Sequence, residues 1–282
     1  MKPFLFTALA FLFVKGYFLF TDDFREAALF QRKDFSQEWK SVVPNDETLK
    51  MYFQQSFSYL GKGAQCYAFL SEDGTVVLKF FKKKHLVPSF FDRWYPLQAK
   101  MEKRFKKQKV LFQGYELAME KNQKESGLIA VSLNSQRRFS LFVSVKDKLG
   151  LNWTINLDEV AFVLQEKATS LRETLIHHLK RGEVSAAVKK IERVYDHYYG
   201  EYQKGIVDSD HGFTHNVGFI DDRVVHFDVG KMRSDPAIRD PLRIKQEFLS
   251  LSSRLKRWIA KNFPDQLEEI SSAIDKKVAS LS

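Results

Sequence analysis

The spacing of apolar positions changes along the chain, and the change orders its elements. Residues 4–20 are almost wholly apolar, broken only by Thr7, Lys15 and Gly16. Residues 24–52 hold no sustained period and read as helical and loop material leading into a domain. Runs rich in β-branched and aromatic residues then predict strands over 56–60, 66–70 and 75–81. Between the last two, Glu72-Asp73-Gly74 is a tight hairpin signal, because Asp-Gly supplies the positive backbone angles such a turn needs. Residues 97–124 are rich in Lys, Glu, Gln, Met and Leu and predict one long helix, with Pro96 at its start, where proline is tolerated. Further strands are expected over 128–133, 139–145 and 160–165. Helical spacing follows over 171–180 and 184–204. Two short strands, 217–220 and 224–227, flank a turn at Asp221-Asp222, and helices over 242–262 and 264–281 finish the chain. Strands come first with one helix among them, and helices dominate afterwards. That order predicts an α+β fold with a waist near 165–170. It divides the chain into an apolar segment (1–22), a leader (23–51), a β-rich part (52–168) and a helical part (169–282).

Three readings compete for the N-terminal segment. A cleaved signal peptide needs a short apolar run and then a small-x-small site; Ala8-Leu9-Ala10 comes too early for one. A transmembrane helix needs about 20 apolar residues, and Lys15 is tolerable only off-centre, snorkelling toward an interface. The third reading packs the segment on the domain. Arg25, Arg32, Lys33 and Lys40 follow it, which by the positive-inside rule places the main domain in the cytoplasm of a membrane-associated protein. Export is the alternative if the segment is a signal.

Composition adds bounds. The 282 residues, 44% of them apolar, suffice for one two-lobed domain or two small ones. One cysteine, Cys66, excludes an intramolecular disulfide. The net charge of +10 gathers at Lys82–Lys84 and over 100–109. A solvated helix face explains such runs, and an anionic membrane surface or an acidic partner is the sharper reading. No nucleic-acid-binding signature accompanies the charge, so nucleic acid is not expected as a partner.

Candidate chemistry lies at three places. Gly61-Lys62-Gly63 joins two predicted strands. Dinucleotide and Walker-type glycine loops run from a strand into a helix instead. A strand–glycine–strand hairpin suits a flap whose backbone amides cover phosphates, and an ordinary glycine hairpin is the bland reading. Lys79 shares a face with Val77 on the following strand, and a lysine pointing in from a strand needs an anionic partner. Glu102 is the best-placed carboxylate, with Glu116 the runner-up. Downstream come Asp210-His211-Gly212-Phe213-Thr214-His215-Asn216 and, after a short hairpin, Asp228-Val229-Gly230. His211 and His215 have a zinc-like His-x3-His spacing, but Gly212 between them argues for a loop and no third ligand is evident.

In this order and at these distances, over roughly residues 52–235, the motifs resemble the protein-kinase-like superfamily, including small bacterial and aminoglycoside-phosphotransferase-like members. The resemblance implies a two-lobed fold, with a β-rich N-lobe carrying one long helix and a short, mainly helical C-lobe. It implies ATP and magnesium as cofactors. Gly61, Gly63 and Lys79 would hold phosphates, with Glu102 pairing Lys79, and Gln165 and Glu166 would lie in the adenine-contacting hinge. Asn216 and Asp228 would bind magnesium. The catalytic Asp is Asp210 or, alternatively, Asp208: the family places it five residues before the Asn, whereas these lie six and eight before. The chain also has no Ala-Pro-Glu motif and only 52 residues after Gly230. The implied activity is therefore an atypical kinase acting on an unidentified hydroxyl of a protein or small molecule. The alternative is a pseudokinase that binds nucleotide at the membrane without transferring phosphate.

Overall fold

The computed structural model describes residues 11, 13–32, 39–87, 98–210 and 212–281. Contacts divide the chain into two compact units. Unit 1 comprises residues 1–109 and 129–165, and unit 2 comprises 110–128 and 166–282.

Unit 1 is built on a seven-stranded sheet. Its strands are β1 (Phe57–Lys62), β2 (Cys66–Ser71), β3 (Val76–Phe81), β4 (Leu128–Ser132), β5 (Phe142–Lys146), β6 (Asn152–Asn156) and β7 (Phe162–Glu166), in the order β4-β7-β3-β2-β1-β5-β6. The hairpins β1-β2, β2-β3 and β5-β6 are antiparallel, and β1 and β5 run parallel. Alternation buries Tyr67, Phe69 and Ser71 on β2 and leaves the residues between them half-exposed, as a strand with one covered face requires. On that face Phe24, Phe57, Phe69, Phe80, Val143, Ile155, Phe162 and Leu164 form the core. Part of it comes from helix α1 (Asp46–Phe53), which Asn45 caps through Oδ1 accepting from the Thr48 N–H (2.8 Å) and which buries Leu49 and Phe53.

The leader is woven into this unit. Phe30 donates its N–H to the Phe81 carbonyl (2.8 Å) and accepts from the Ala161 N–H (3.0 Å). Arg32 is 1% exposed; it donates to the Asn134 and Arg137 carbonyls (2.5 and 2.6 Å) and stands over the Phe139 ring. A buried guanidinium needs such acceptors to offset its desolvation.

Ahead of the leader, residues 13–20 are helical and carry exposed Phe13, Val14, Leu19 and Phe20. The transmembrane helix expected over 4–20 is corrected here: among the described residues no helix is long and apolar enough to cross a membrane. A hydrocarbon core about 30 Å thick takes roughly 20 apolar residues of helix, and this helix ends at Thr21, whose Oγ1 donates to the Tyr17 carbonyl (2.9 Å) before Asp22 and Asp23 turn the chain with positive φ. Residues 1–10 and 12 lie outside the described residues.

Unit 2 is mainly helical. Helix α2 (Gln98–Lys121) begins in unit 1 and belongs to unit 2 from Val110. Its buried residues start only at Leu111, so the lysine-rich first half is a solvated stretch. Then come β8 (Thr169–Ser170), α3 (Leu171–Lys180), α4 (Val184–Gln203), β9 (Ile206–Asp208), the single turn α5 (Phe213–Asn216), β10 (Val217–Ile220), β11 (Arg223–His226), β12 (Met232–Ser234), α6 (Pro241–Asn262) and α7 (Leu267–Leu281). Ser170 and Glu173 make a reciprocal capping box on α3. The apolar stripes of α3, α4, α6 and α7 close on Leu175, Ile191, Tyr195, Tyr198, Phe213, Phe248 and Ile274. Two small sheets sit beside them: β11-β10-β8, and β12 paired with β9. The β10-β11 register, Ile220 opposite Arg223, leaves Asp221-Asp222 as a two-residue loop with Asp221 at φ +52°.

Candidate functional site

In unit 1 the glycine hairpin forms between β1 and β2. The register slips between Tyr59 and Gly61, and the Gly63 N–H closes the turn on the Cys66 carbonyl (3.0 Å). The Lys82 ammonium donates to the Gly63 carbonyl (2.6 Å) and stands 4.6 Å over the Tyr67 ring. Methyl groups built at Gly61 or Gly63 meet nothing within 4 Å. Neither position needs glycine for packing, and the Gly63 backbone is engaged at both its N–H and its carbonyl. Lys79 sits on β3 opposite Ala68 and is half-buried. Glu102 is exposed on the part of α2 in unit 1, and Glu116 is half-buried further along, in unit 2. Gln165, 1% exposed, and Glu166 end β7. Glu166 pairs with Arg223, which also donates to the Lys124 carbonyl.

The downstream motifs converge within unit 2. Phe213 stacks on Tyr198 (5.5 Å between ring centres) and anchors the single turn α5. The carbonyl of Asn216, at the end of that turn, accepts from the N–H groups of Phe227 and Asp228 (2.8 and 3.3 Å). The two residues expected to hold a metal are thereby tied through their backbones. The Asn216 amide Nδ2 donates to Asp208 Oδ2 (3.1 Å). Among the described residues, nothing donates to its Oδ1. Gly212 makes room for this side chain: a Cβ there would lie 2.6 Å from Asn216 Oδ1. Gly114 of α2 does the same for the Asp228 segment, since a Cβ there would run into the Val229 carbonyl oxygen and lie 3.0 Å from the Gly230 carbonyl carbon.

The two candidate catalytic aspartates have different surroundings. Asp208, at the end of β9, has a side chain 2% exposed. Its Oδ1 accepts from the Asp210 N–H (2.8 Å), and its Oδ2 takes Asn216 Nδ2 and faces His226 Nε2 (3.3 Å). Burial pushes its pKa up, but His226 and the N–H donors outweigh burial and hold it below the usual value. Asp210 is 43% exposed and accepts from Lys231 Nζ (2.8 Å). That bond raises the Lys231 pKa against burial, with further help from the charges of Asp210, Asp208 and Asp228. Asp228 itself is exposed.

Behind Asp208 lies a polar cluster that sequence reasoning missed. His226 is fully buried and bridges Asp208 and Glu201, whose Oε2 lies 3.2 Å from Nδ1. Burial lowers the imidazole pKa, but the two carboxylates overcome it and raise the value to about 10. Glu201 is held low by His226 and His197 despite its burial. Asn122 Nδ2 donates to Glu201 Oε1 (2.7 Å). A signal was available. Glu201 falls on the same helical stripe as Val194 and Tyr198, all buried, and a carboxylate on an apolar stripe needs a partner. His215 Nε2 accepts from Arg172 Nη1 (3.1 Å), and His211 lies outside the described residues.

No protein-family model matches the chain, and no curated protein matches it. Among solved structures, the chain is similar to the bifunctional kinase-methyltransferase WbdD, at 14% identity and a TM-score of 0.41, with 89% of this chain covered. It spans about half, 49%, of that structure's chain.

Proposed function

We propose that the chain is an ATP-dependent phosphotransferase of the kinase-like type, acting on a hydroxyl acceptor. The observation that carries this reading is the tie between Asn216 and Asp228, with Asp208, Asp210 and Lys231 beside it. An exposed carboxylate and an amide oxygen that accepts no bond among the described residues are oxygen donors of the kind magnesium takes. Bound magnesium-ATP would supply the phosphoryl group and offset the charge that develops on it. The reading assigns phosphate contacts to the backbone at Gly61 and Gly63 and to Lys79, and metal ligation to Asn216 and Asp228. Asp210 takes the role of orienting the acceptor O–H and receiving its proton as the new O–P bond forms and the bond to the ADP oxygen breaks. Asp208 is a poorer candidate for that step because its oxygens are already engaged inside the protein; its work is to hold Asn216.

A second reading, nucleotide binding without transfer, is favoured by the burial of Asn216, 6% exposed and bonded to Asp208. Thermal unfolding of the full chain with and without magnesium-ATP, beside Asp228→Asn, tests the site. At about 100 times its dissociation constant the ligand stabilises by roughly 2.7 kcal/mol, which raises the midpoint on the order of 5 °C. The rise should require magnesium and vanish in Asp228→Asn. An equal rise in the variant would remove Asp228 from the site. Phosphate release or transfer by the wild type then separates turnover from binding alone.

A further inference from the structure

We propose that His197, Glu201 and His226 form a binding site for a divalent transition-metal ion, with zinc the ion its chemistry fits best. His197 and Glu201 are four residues apart on α4, so they share a helix face, and β11 brings His226 to the same place. One ligand atom from each lies within 4.8 Å of the others. Zinc bonds of 2.0–2.2 Å place neighbouring tetrahedral ligands about 3.3–3.6 Å apart. His197 Nε2 lies 3.3 Å from Glu201 Oε1, and His226 Nδ1 lies 3.2 Å from Glu201 Oε2. Each matches the length of one edge of such a site, one to each oxygen of the Glu201 carboxylate.

Two further observations point to a ligand. His197 Nε2 is buried and has no hydrogen-bond partner among the described residues, although its side chain, 7% exposed, faces the carboxylate. A buried imidazole nitrogen left in that state costs free energy unless a ligand takes its lone pair. An outer shell is also in place. Asp208 faces His226 Nε2 and would keep its proton there when a cation displaces the one on Nδ1, and Asn122 orients Glu201. A carboxylate behind a ligating histidine is how metal sites fix the tautomer and raise ligand basicity.

Charge agrees. Two carboxylates, each 2% exposed, face two imidazoles, His226 between them and His197 beside Glu201. A divalent cation with neutral histidines would balance both negative charges. Two nitrogens and one oxygen suit zinc rather than magnesium. An open cleft of about 570 Å³ borders His197, with Glu125, Arg193, Asp196, Asp222 and Arg223 also on its wall.

The test is metal retention by the untagged full chain. After equilibration with zinc and removal of excess, elemental analysis should find one equivalent. Cobalt in its place should give the intense visible absorption of a tetrahedral site. His197→Gln, which removes the outermost ligand and leaves the Asp208–His226–Glu201 contacts, should lose both signals while keeping its far-UV circular dichroism and its unfolding midpoint in EDTA. His215→Gln should keep both. Zinc retained in full by His197→Gln, or no zinc on the wild-type chain, overturns the site.

Discussion

Asp22 holds three side chains from a backbone that few residues adopt. Its φ is +57°, a conformation Asn and Asp tolerate better than most. Oδ1 pairs with Lys62 (2.9 Å), while Oδ2 accepts from Tyr59 Oη (2.9 Å) and pairs with Lys148 (3.2 Å). Lys62 lies between the two glycines of the β1-β2 hairpin, so this carboxylate ties the residue just before the leader to the hairpin. The Lys62 hydrogen bond, with those of Tyr59 and Lys148 and the Lys62 charge, lowers the Asp22 pKa from 3.8 to about 2 against the opposing effect of burial. A carboxyl lowered on folding stabilises above its unfolded pKa and loses that contribution as pH falls through its folded one. Asp22→Asn keeps the tolerated backbone and removes the charge. At neutral pH the variant should be less stable by about 1 kcal/mol, since the two lysines are near half-exposed and solvent screens them. Urea unfolding at fixed ionic strength should show that gap closing between pH 4 and pH 2. A gap that stays constant over that window would mean the ion pairs contribute nothing.

Helix α2 shows at the element scale how a local preference is spent on a distant segment. It carries Gly114 in its interior, where glycine costs about 1 kcal/mol relative to alanine. The return is close approach to the Val229-Gly230 backbone, and with it the placement of Asp228. Gly114→Ala gains propensity but forces backbone apart, and overpacking costs about 1–3 kcal/mol. The variant should therefore be destabilised, against its helix propensity, and should lose part of the magnesium-ATP midpoint shift. A more stable variant with an unchanged shift would show that the contact does not position Asp228. No sequence period reveals that contact, because it depends on which helix meets which loop. Much else was legible. Alternation marks β1 and β2, a nearly continuous apolar run marks β3, and the capping box and apolar stripes mark α3 and α4. β6 was missed because Asn152-Trp153-Thr154-Ile155-Asn156 fully buries only Ile155. β8, β9 and β12 span two or three residues and are too short to show alternation. In the site, Asn216 and Asp228 flank the β10-β11 hairpin, and the Asn216 carbonyl accepts from the Asp228 N–H (3.3 Å). His226 passed as the end of an apolar strand, and Lys231 carried no motif at all.

Chain order and contact order part company at the scale of the whole molecule. Unit 2 is not the C-terminal part alone; it takes residues 110–128 from the middle of the β-rich region. That stretch buries Leu111, Phe112, Tyr115, Ala118 and Met119, brings Gly114 against Val229-Gly230, and supplies Asn122, fully buried, to Glu201. A fragment of residues 166–282 keeps every downstream candidate residue but lacks this support. Its Glu201 loses a hydrogen bond inside a buried cluster, where an unmet polar group costs about 1–3 kcal/mol. It also loses the apolar cover of α2, at roughly 25 cal/mol per Å² of surface returned to water. Total domain stability is only about 5–15 kcal/mol. The fragment should therefore show no cooperative unfolding transition and weak near-UV circular dichroism, while keeping helical far-UV signal from the stripes of α4, α6 and α7. A peptide of residues 110–128 added to it should restore cooperativity, because the missing piece is one continuous helix and the turn after it. A fragment that unfolds cooperatively without the peptide would show that α2 rests on a finished unit, and the placement of Asp228 would then have to come from the Asn216 carbonyl alone.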